Sequence, residues 1–226
     1  FYNEINQAAG IYERNAECWV PSSINLTCRS VWNNDLGYKK TCVAISPNYV
    51  ISLKHFRIKP GSTVHFLTED NDVVSRIIDS WYDLGNVLVG LLNIPLPSSI
   101  QVARVLPSNF LSYAPGHQNG IPVILFDQQH KALLAETAFF TSTSLFLQFS
   151  KNETRSLVSE VLVSGDSNQP WFFFDSDNRA VILSASYTGG AGTGYTYHNL
   201  ITEINEILDI NGDSLEMANL NEYTVF

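Results

Sequence analysis

Short apolar runs separated by turn-forming residues dominate the chain from about residue 42 onward. The runs are rich in β-branched and aromatic residues, and Pro, Asn, Asp and Gly stand between them, which is typical of β-strands. The predicted strands of the first half are 42–45, 49–53, 63–67, 73–78 and 87–92. Those of the second half are 121–126, 132–140, 145–149, 171–174 and 180–186. Short strands at nearly regular spacing predict a barrel or a sandwich.

Helical spacing is found near the two ends of the chain. Apolar residues recur every three or four positions toward the C-terminal end, with glutamates opposite them, which predicts an amphipathic helix from about Tyr197 to Ile210. A looser pattern of the same kind predicts an N-terminal helix or arm over residues 1–15. The tail, 211–226, is predicted to be irregular, and the Pro- and Gly-containing stretch 107–120 is predicted to connect two halves.

Composition narrows the class of protein. The chain has 226 residues and is 45% hydrophobic, enough for one large all-β domain or two small barrels that fold without a cofactor. Lys and Arg number 13 against 22 Asp and Glu, and the net charge of −9 disfavours nucleic acid and anionic membranes as partners.

No apolar run approaches the roughly 20 residues of a membrane span. The first residues lack the basic start of a signal peptide, so we expect a soluble protein whose signal peptide, if it has one, is already removed.

Three cysteines match neither a zinc site nor a disulfide-dense scaffold, so no metal site is predicted. Cys18 and Cys28 flank a short loop and are predicted to form a disulfide. Cys42 lies in an apolar run and is predicted to be a buried free thiol. Asn25 and Asn152 each begin an N-glycosylation triplet, which has meaning only if the source is a secreting eukaryote.

A small polar turn, Gly165-Asp166-Ser167, separates two strongly apolar runs. A serine on such a turn can attack an acyl carbon, because the backbone N–H groups beside it can stabilise the oxyanion that develops. Gly165 allows the sharp bend. The competing interpretation is a surface β-turn built of turn-forming residues, so a catalytic role depends on partners elsewhere in the chain.

Two β-rich halves followed by a helix, with a histidine ending an early hairpin and Gly-Asp-Ser in the later half, resemble the chymotrypsin-like serine proteases. Residues 46–55 (SPNYVISLKH) are similar to the family's strand, turn and strand leading into Thr-Ala-Ala-His. Residues 86–97 (NVLVGLLNIPLP) are similar to Asp-Ile-Ala-Leu-Leu-x-Leu-x-x-Pro-Leu-Pro. Residues 165–170 (GDSNQP) are similar to Gly-Asp-Ser-Gly-Gly-Pro. Together with the strands between them, these windows cover most of residues 40–210.

The resemblance implies a role for each matching residue. Ser167 would be the nucleophile, His55 the general base, and the backbone amides of Gly165 and Ser167 the oxyanion hole. Asn86 stands where the family has the aspartate that orients the histidine. An asparagine can hydrogen-bond an imidazole but carries no charge to stabilise imidazolium, and this change in a serine protease triad lowers kcat by about 10⁴. Asp83 is the alternative third member, and a polar turn before a strand is the competing interpretation of both positions.

The chain departs from the family in several places. Lys54 replaces an alanine, and Phe56 replaces a cysteine of many members, which fits Cys42 as a free thiol. Asn168 replaces a glycine. Asp166 pairs with a newly cut amino terminus in the digestive members; no Ile-Val-Gly-Gly-like start exists here, so that route is not implied and Asp166 is expected to satisfy local amides.

Substrate residues are also implied by the resemblance. Val161 matches the base of the primary specificity pocket, which argues against Arg or Lys at the cleavage position. Ser186, Tyr187 and Thr188, with the glycine-rich 189–192, match its wall. A core valine and a flexible loop are the competing interpretation.

The predicted fold is therefore all-β, with two six-stranded antiparallel β-barrels of the chymotrypsin type and a C-terminal α-helix. A single peptidase domain, 1–226, would comprise barrels at about 16–107 and 117–198 and a helix at 199–210. The preferred function is a secreted or periplasmic serine endopeptidase acting on peptide or protein substrates without cofactor or metal. A pseudoprotease that acts as a binding module is the rival, with Asn86 and Asn168 as its evidence. An unrelated β-sandwich adhesion domain is a third hypothesis.

Overall fold

A computed structural model describes residues 1–6, 11–33, 39–110, 120–141, 143–187, 190 and 192–221, without the side chains of residues 4–6. The protein is mostly β, with 39% strand and 11% helix, and includes a sheet curled into a half-barrel. Of the predicted fold, a mostly β protein with a C-terminal helix is thereby confirmed. The predicted connection at 107–120 lies largely outside the described residues.

The N-terminal segment, predicted as a helix or an arm, is a β-hairpin, so the helical alternative is wrong. It consists of β1 (Tyr2–Asn6) and β2 (Ile11–Arg14). Tyr2 and Tyr12 are buried while Ile11, next to Tyr12, is 47% exposed, so residues 11 and 12 face opposite sides, as neighbours in a strand do. Both tyrosine rings pack edge-on against His130, at 6.1 and 5.1 Å between centroids. This packing against the rest of the protein favours the extended hairpin over a short helix of weak amphipathicity.

The first large sheet has six antiparallel strands in the order β3-β6-β7-β8-β5-β4. Its strands are β3 (Trp32–Asn33), β4 (Val43–Ala44), β5 (Tyr49–Leu53), β6 (Thr63–Leu67), β7 (Val73–Leu84) and β8 (Val87–Leu92). All five predicted strands of this half are present. β7 continues six residues beyond its predicted end at Ile78, so that β7 and β8 form a tight hairpin through Gly85 and Asn86. Gly85 has φ +82°, a conformation that favours glycine.

The second large sheet has seven strands in the order β15-β12-β11-β10-β13-β14-β9. These are β9 (Arg104–Val105), β10 (Pro122–Phe126), β11 (Ala132–Phe140), β12 (Ser144–Gln148), β13 (Pro170–Phe174), β14 (Ala180–Ala185) and β15 (Thr193–Tyr195). β9 pairs in parallel with β14, so this sheet is neither six-stranded nor wholly antiparallel. The segment that carries β9 belongs by sequence prediction to the first barrel, at about 16–107. It is too short for its pattern to reveal its partner.

The helices are short. α1 (Glu153–Ser156) is capped by Asn152, whose side-chain oxygen accepts a hydrogen bond from Arg155 N at 3.1 Å. α2 (Ile201–Leu208) is extended by 3₁₀ turns at His198–Leu200 and Asp209–Asn211, which agrees with the predicted span. Its buried residues, Ile204 and Leu208, join the apolar core that contains residues of both sheets.

The predicted disulfide is wrong, since all three cysteines are free thiols in the structure. Cys28 is buried in the core and Cys18 is partly exposed beside the amine of Phe1, so the two side chains occupy different surroundings. Cys42 is a buried free thiol, as predicted. Burial raises the pKa of Cys28 and of Cys42 to about 12, so both remain protonated and unreactive.

A buried polar group lies between the two halves of the chain. Arg29 is fully buried, and its Nη2 donates to Gln169 Oε1 at 2.8 Å and lies 3.2 Å from His130 Nδ1. Its guanidinium also lies over the Phe126 ring, 4.3 Å from the centroid. Burial, together with the positive charge of Arg29, holds the pKa of His130 well below its usual value of 6.5. The histidine is therefore neutral in the folded protein.

Acidification from about pH 7 to pH 5 should lower the free energy of unfolding through His130. In this window the unfolded chain takes up a proton on His130 near pH 6.5 and the folded chain does not, so stability falls as pH falls, by up to about 1.4 kcal/mol per pH unit. Urea denaturation at several pH values measures the slope. His130→Gln should have a shallower slope, and identical slopes in the two proteins would contradict the prediction.

Candidate functional site

His55 follows β5 directly, in a 3₁₀ turn at Lys54–Phe56. The strand is fully buried, and the turn brings the histidine to the surface, where its ring is exposed. The His55 ring contacts the Tyr187 ring edge-on, with 4.7 Å between centroids. Partial burial lowers the pKa of His55 below 6.5, so at neutral pH the imidazole is free to accept a proton.

Ser167 lies on a turn that hydrogen bonds to the Asp166 side chain stabilise. The buried carboxylate of Asp166 accepts hydrogen bonds from Gln128 N at 3.0 Å and Val163 N at 2.7 Å, so it satisfies local amides as predicted. Gly165 has φ +109°, and its carbonyl accepts a hydrogen bond from the Gln128 side chain. This conformation excludes most other residues, which explains the glycine of the motif.

Two backbone donors beside the serine are available to a ligand. Within the described part of the chain, the N–H groups of Gly165 and Ser167 donate to no protein acceptor, and both residues are partly exposed. Unpaired N–H groups beside a candidate nucleophile are the arrangement that stabilises an oxyanion.

Asn168 links the serine turn to the histidine strand. Its Oδ1 accepts a hydrogen bond from Leu53 N at 2.8 Å, and Leu53 is two residues before His55. Its backbone N–H donates to Ser186 O at 2.7 Å, and Ser186 precedes the tyrosine that touches the histidine ring. The serine turn, the histidine turn and this tyrosine therefore lie together at one surface.

The structure leaves the predicted triad without hydrogen bonds between its members. Among the described residues, no group bonds the imidazole nitrogens of His55, so neither Ser167 nor Asn86 reaches them. Asn86 lies in the turn between β7 and β8, where its carbonyl accepts a hydrogen bond from Lys54 N at 3.0 Å and its side chain is exposed. Catalytic hydrogen bonds are often long in unliganded enzymes and tighten on substrate binding.

Asp83 is committed to another partner. Its carboxylate forms an ion pair with Lys54 Nζ at 2.5 Å and accepts a hydrogen bond from Gly85 N at 2.9 Å. The hydrogen bond from Lys54 is the main cause that lowers the pKa of Asp83. The ion pair lies immediately beside His55 in the chain, so Asp83 could reach the histidine only by leaving Lys54.

Val161, the predicted base of the specificity pocket, is exposed. Val161 and Val163 are 60% and 62% exposed, on either side of the buried Leu162. Leu162 exchanges backbone hydrogen bonds with Gly190 at 2.9 and 3.3 Å. Val161 thus lies on the surface and not at the floor of an enclosed pocket.

The predicted wall residues occupy different environments. Ser186 is buried, and its Oγ accepts a hydrogen bond from the indole of Trp171 at 2.8 Å, which makes it a packing residue. Tyr187 is 41% exposed and also contacts Tyr195, at 4.9 Å between centroids. Thr188 lies outside the described residues.

The contacts that join distant segments, above all Lys54 with Asp83 and Leu53 with Asn168, were not predicted from the sequence. For the first pair the only signal in the sequence is the opposite charge of Lys54, beside His55, and Asp83, the alternative third member. No local pattern marks the second pair, because it depends on how the two halves pack.

The described part of the chain contains no cluster of three metal-ligating side chains. None of its helices has the length and apolar character needed to cross a membrane. Comparison with protein-family models gives no match, and comparison with curated proteins gives none either.

Proposed function

We propose that the protein is a serine endopeptidase of the chymotrypsin type, with two β-barrels and its site where they meet. Ser167 Oγ attacks the carbonyl carbon of a peptide bond while His55 accepts the hydroxyl proton. The Gly165 and Ser167 N–H groups bind the oxyanion, and His55 returns the proton to the leaving amine. Water, deprotonated by His55, then hydrolyses the acyl-enzyme and regenerates the serine.

The observation that carries the proposal is the 2.8 Å hydrogen bond between Leu53 N and Asn168 Oδ1. It joins segments 115 residues apart in the chain, and they are the segments that bear the histidine and the serine. The unpaired N–H groups of Gly165 and Ser167 and the lowered pKa of His55 add an oxyanion site and a neutral base to the same surface.

Asn86 or Asp83 orients His55 in this proposal. Two observations favour Asn86: its side chain is exposed, and its carbonyl accepts a hydrogen bond from Lys54 N, beside His55 in the chain. Asp83 would first have to break its ion pair with Lys54. Asn86 is therefore the favoured third member of the triad. Because it is uncharged, it does not stabilise the imidazolium that forms on His55.

The exposed valines 161 and 163 and Tyr187 favour apolar side chains on the substrate. The carboxylate next to them in the chain, Glu160, forms an ion pair with Lys131, so we propose no preference for Arg or Lys. The resemblance also leads us to propose a secreted or periplasmic location.

The second candidate is a pseudoprotease that binds peptides without cleaving them. The observation in its favour is that no described residue hydrogen-bonds His55, together with the uncharged Asn86. Both candidates share one surface and differ only in whether Ser167 becomes acylated.

Labelling with a fluorophosphonate probe tests the proposal, because the probe phosphonylates only an activated serine. We expect the label on Ser167, located by mass spectrometry of the digested protein. Ser167→Ala should abolish labelling and His55→Ala should slow it by at least about 10³-fold. Ser164→Ala, at an exposed serine of the same segment, should label like the natural chain. Absence of label in both the natural chain and Asn86→Asp would leave the binding module as the function.

A further inference from the structure

Two consecutive amide side chains directly after Ser167 reach across to the first half of the chain. Asn168 and Gln169 are both buried, and we call this pair the amide clamp. Asn168 Oδ1 accepts from Leu53 N at 2.8 Å, and its Nδ2 donates to Thr41 O at 2.6 Å and Ser52 Oγ at 2.8 Å.

Gln169 adds a second set of contacts on the same side. Its Oε1 accepts from Arg29 Nη2 at 2.8 Å, and its Nε2 donates to Lys39 O at 3.1 Å. Every hydrogen-bonding atom of the two amides is thus used, and every partner lies in the first half of the chain. A buried amide pair that is fully satisfied gives orientation as well as cohesion.

The backbone of Asn168 fits this role. Its φ of +66° lies in the left-handed region, which asparagine tolerates better than most residues other than glycine. Glycine would accept the same turn but would leave Leu53 N and Thr41 O without their partners. Aspartate would set a charged oxygen against the Thr41 carbonyl. Only a neutral amide satisfies a donor and two acceptors at this position.

We infer that Asn168 is a positioning residue, which holds the Ser167 turn at a fixed distance from the end of β5 and so from His55. The inference rests on the proposed function of Ser167. It gives a catalytic purpose to Asn168, which stands where the chymotrypsin-like family has a glycine. Asn168 keeps Ser167 at the correct distance from His55, so its presence does not indicate a loss of catalytic function. A misplacement of about 1 Å between such groups costs about 10²-fold in rate.

The test compares Asn168→Gly with Asn178→Gly. Asn178 also has a positive φ, +58°, but is exposed in the turn after β13, and its side chain makes no hydrogen bond to any residue that the structure describes, so it controls for the backbone change alone. We expect Asn168→Gly to lower the maximal rate of fluorophosphonate labelling by about 10²-fold with an unchanged half-saturating probe concentration. The Leu53 amide should exchange its hydrogen at least about 10-fold faster. Asn178→Gly should change neither quantity.

Thr41→Val is the milder variant if Asn168→Gly fails to fold. It removes the 3.1 Å hydrogen bond from Thr41 Oγ1 to Asn168 O with little change of side-chain volume, and should slow labelling about threefold or more. The inference would be overturned if the labelling rate and the hydrogen exchange of the Leu53 amide stay within twofold of the control in the folded variants.

If neither the natural chain nor Asn86→Asp is labelled, the proposed function fails. Leu53 exchange and the NMR signals of the His55 ring then still decide whether the clamp holds the two segments together.

Discussion

Replacing Asn86 with aspartate is expected to raise the rate of Ser167 acylation by about 10²- to 10⁴-fold. Asn86 lies in the β7–β8 turn, and its carbonyl accepts a hydrogen bond from Lys54 N at 3.0 Å, so a carboxylate at position 86 would lie close to the turn that bears His55. The carboxylate would select the tautomer that accepts the serine proton and stabilise the imidazolium that forms. The initial rate of fluorophosphonate labelling at neutral pH measures the gain.

The pH profile supplies a second expected result for the same variant. A carboxylate beside His55 favours its protonated form, which opposes the burial that lowers the pKa of His55 in the natural chain. The pH of half-maximal labelling should therefore move upward in Asn86→Asp. Asn178→Asp adds the same charge on an exposed turn and should leave both rate and profile unchanged.

The competing role of Asp83 predicts a different outcome. If Asp83 leaves Lys54 to orient His55, Asp83→Asn should reduce labelling of the natural chain strongly and Asn86→Asp should add little. Lys54→Ala, which frees the Asp83 carboxylate, should then accelerate labelling. A rate in Asn86→Asp that equals the natural one, with Asp83→Asn inactive, would identify Asp83 as the third member.

The large strands were predictable because their burial is repetitive and local. β5 and β8, for example, are almost wholly buried and bounded by turn residues, so composition alone indicates them. The N-terminal hairpin was not predictable from residues 1–15, because the burial of Tyr2 and Tyr12 depends on His130, more than a hundred positions away. β9 escaped prediction for a similar reason, since a two-residue strand has no period.

The candidate site was predictable as a set of positions but not as a set of contacts. The Gly165 bend and the exposed His55 follow from local turn chemistry. The bonds of Asn168 to Thr41, Ser52 and Leu53 depend on the packing of the two halves, which no local pattern encodes. The missing disulfide has the same origin, because spacing in the chain does not reveal that Cys28 faces the core.

Replacing Asp175 with alanine is expected to cause the largest loss of stability, about 3–5 kcal/mol. The Asp175 side chain is fully buried and accepts an ion-pair hydrogen bond from Arg104 Nη1 at 2.7 Å. It also accepts from the backbone N–H groups of Asn219, Asp177 and Arg179, at 2.9, 3.0 and 3.0 Å. One carboxylate thus joins β9, the turn between β13 and β14, and the C-terminal segment.

Loss of this carboxylate leaves Arg104, whose side chain is only 17% exposed, without its buried counter-charge. Three backbone donors also lose their acceptor, and the C-terminal segment loses an attachment to the second sheet. Asp177→Ala is the matched control, because Asp177 binds the same Arg104 nitrogen at 2.5 Å but is 44% exposed, so water replaces it and its removal should cost much less. Urea denaturation followed by circular dichroism measures both variants. Equal losses of unfolding free energy in the two variants would contradict the prediction. They would mean that the buried carboxylate of Asp175 contributes no more to stability than the exposed carboxylate of Asp177.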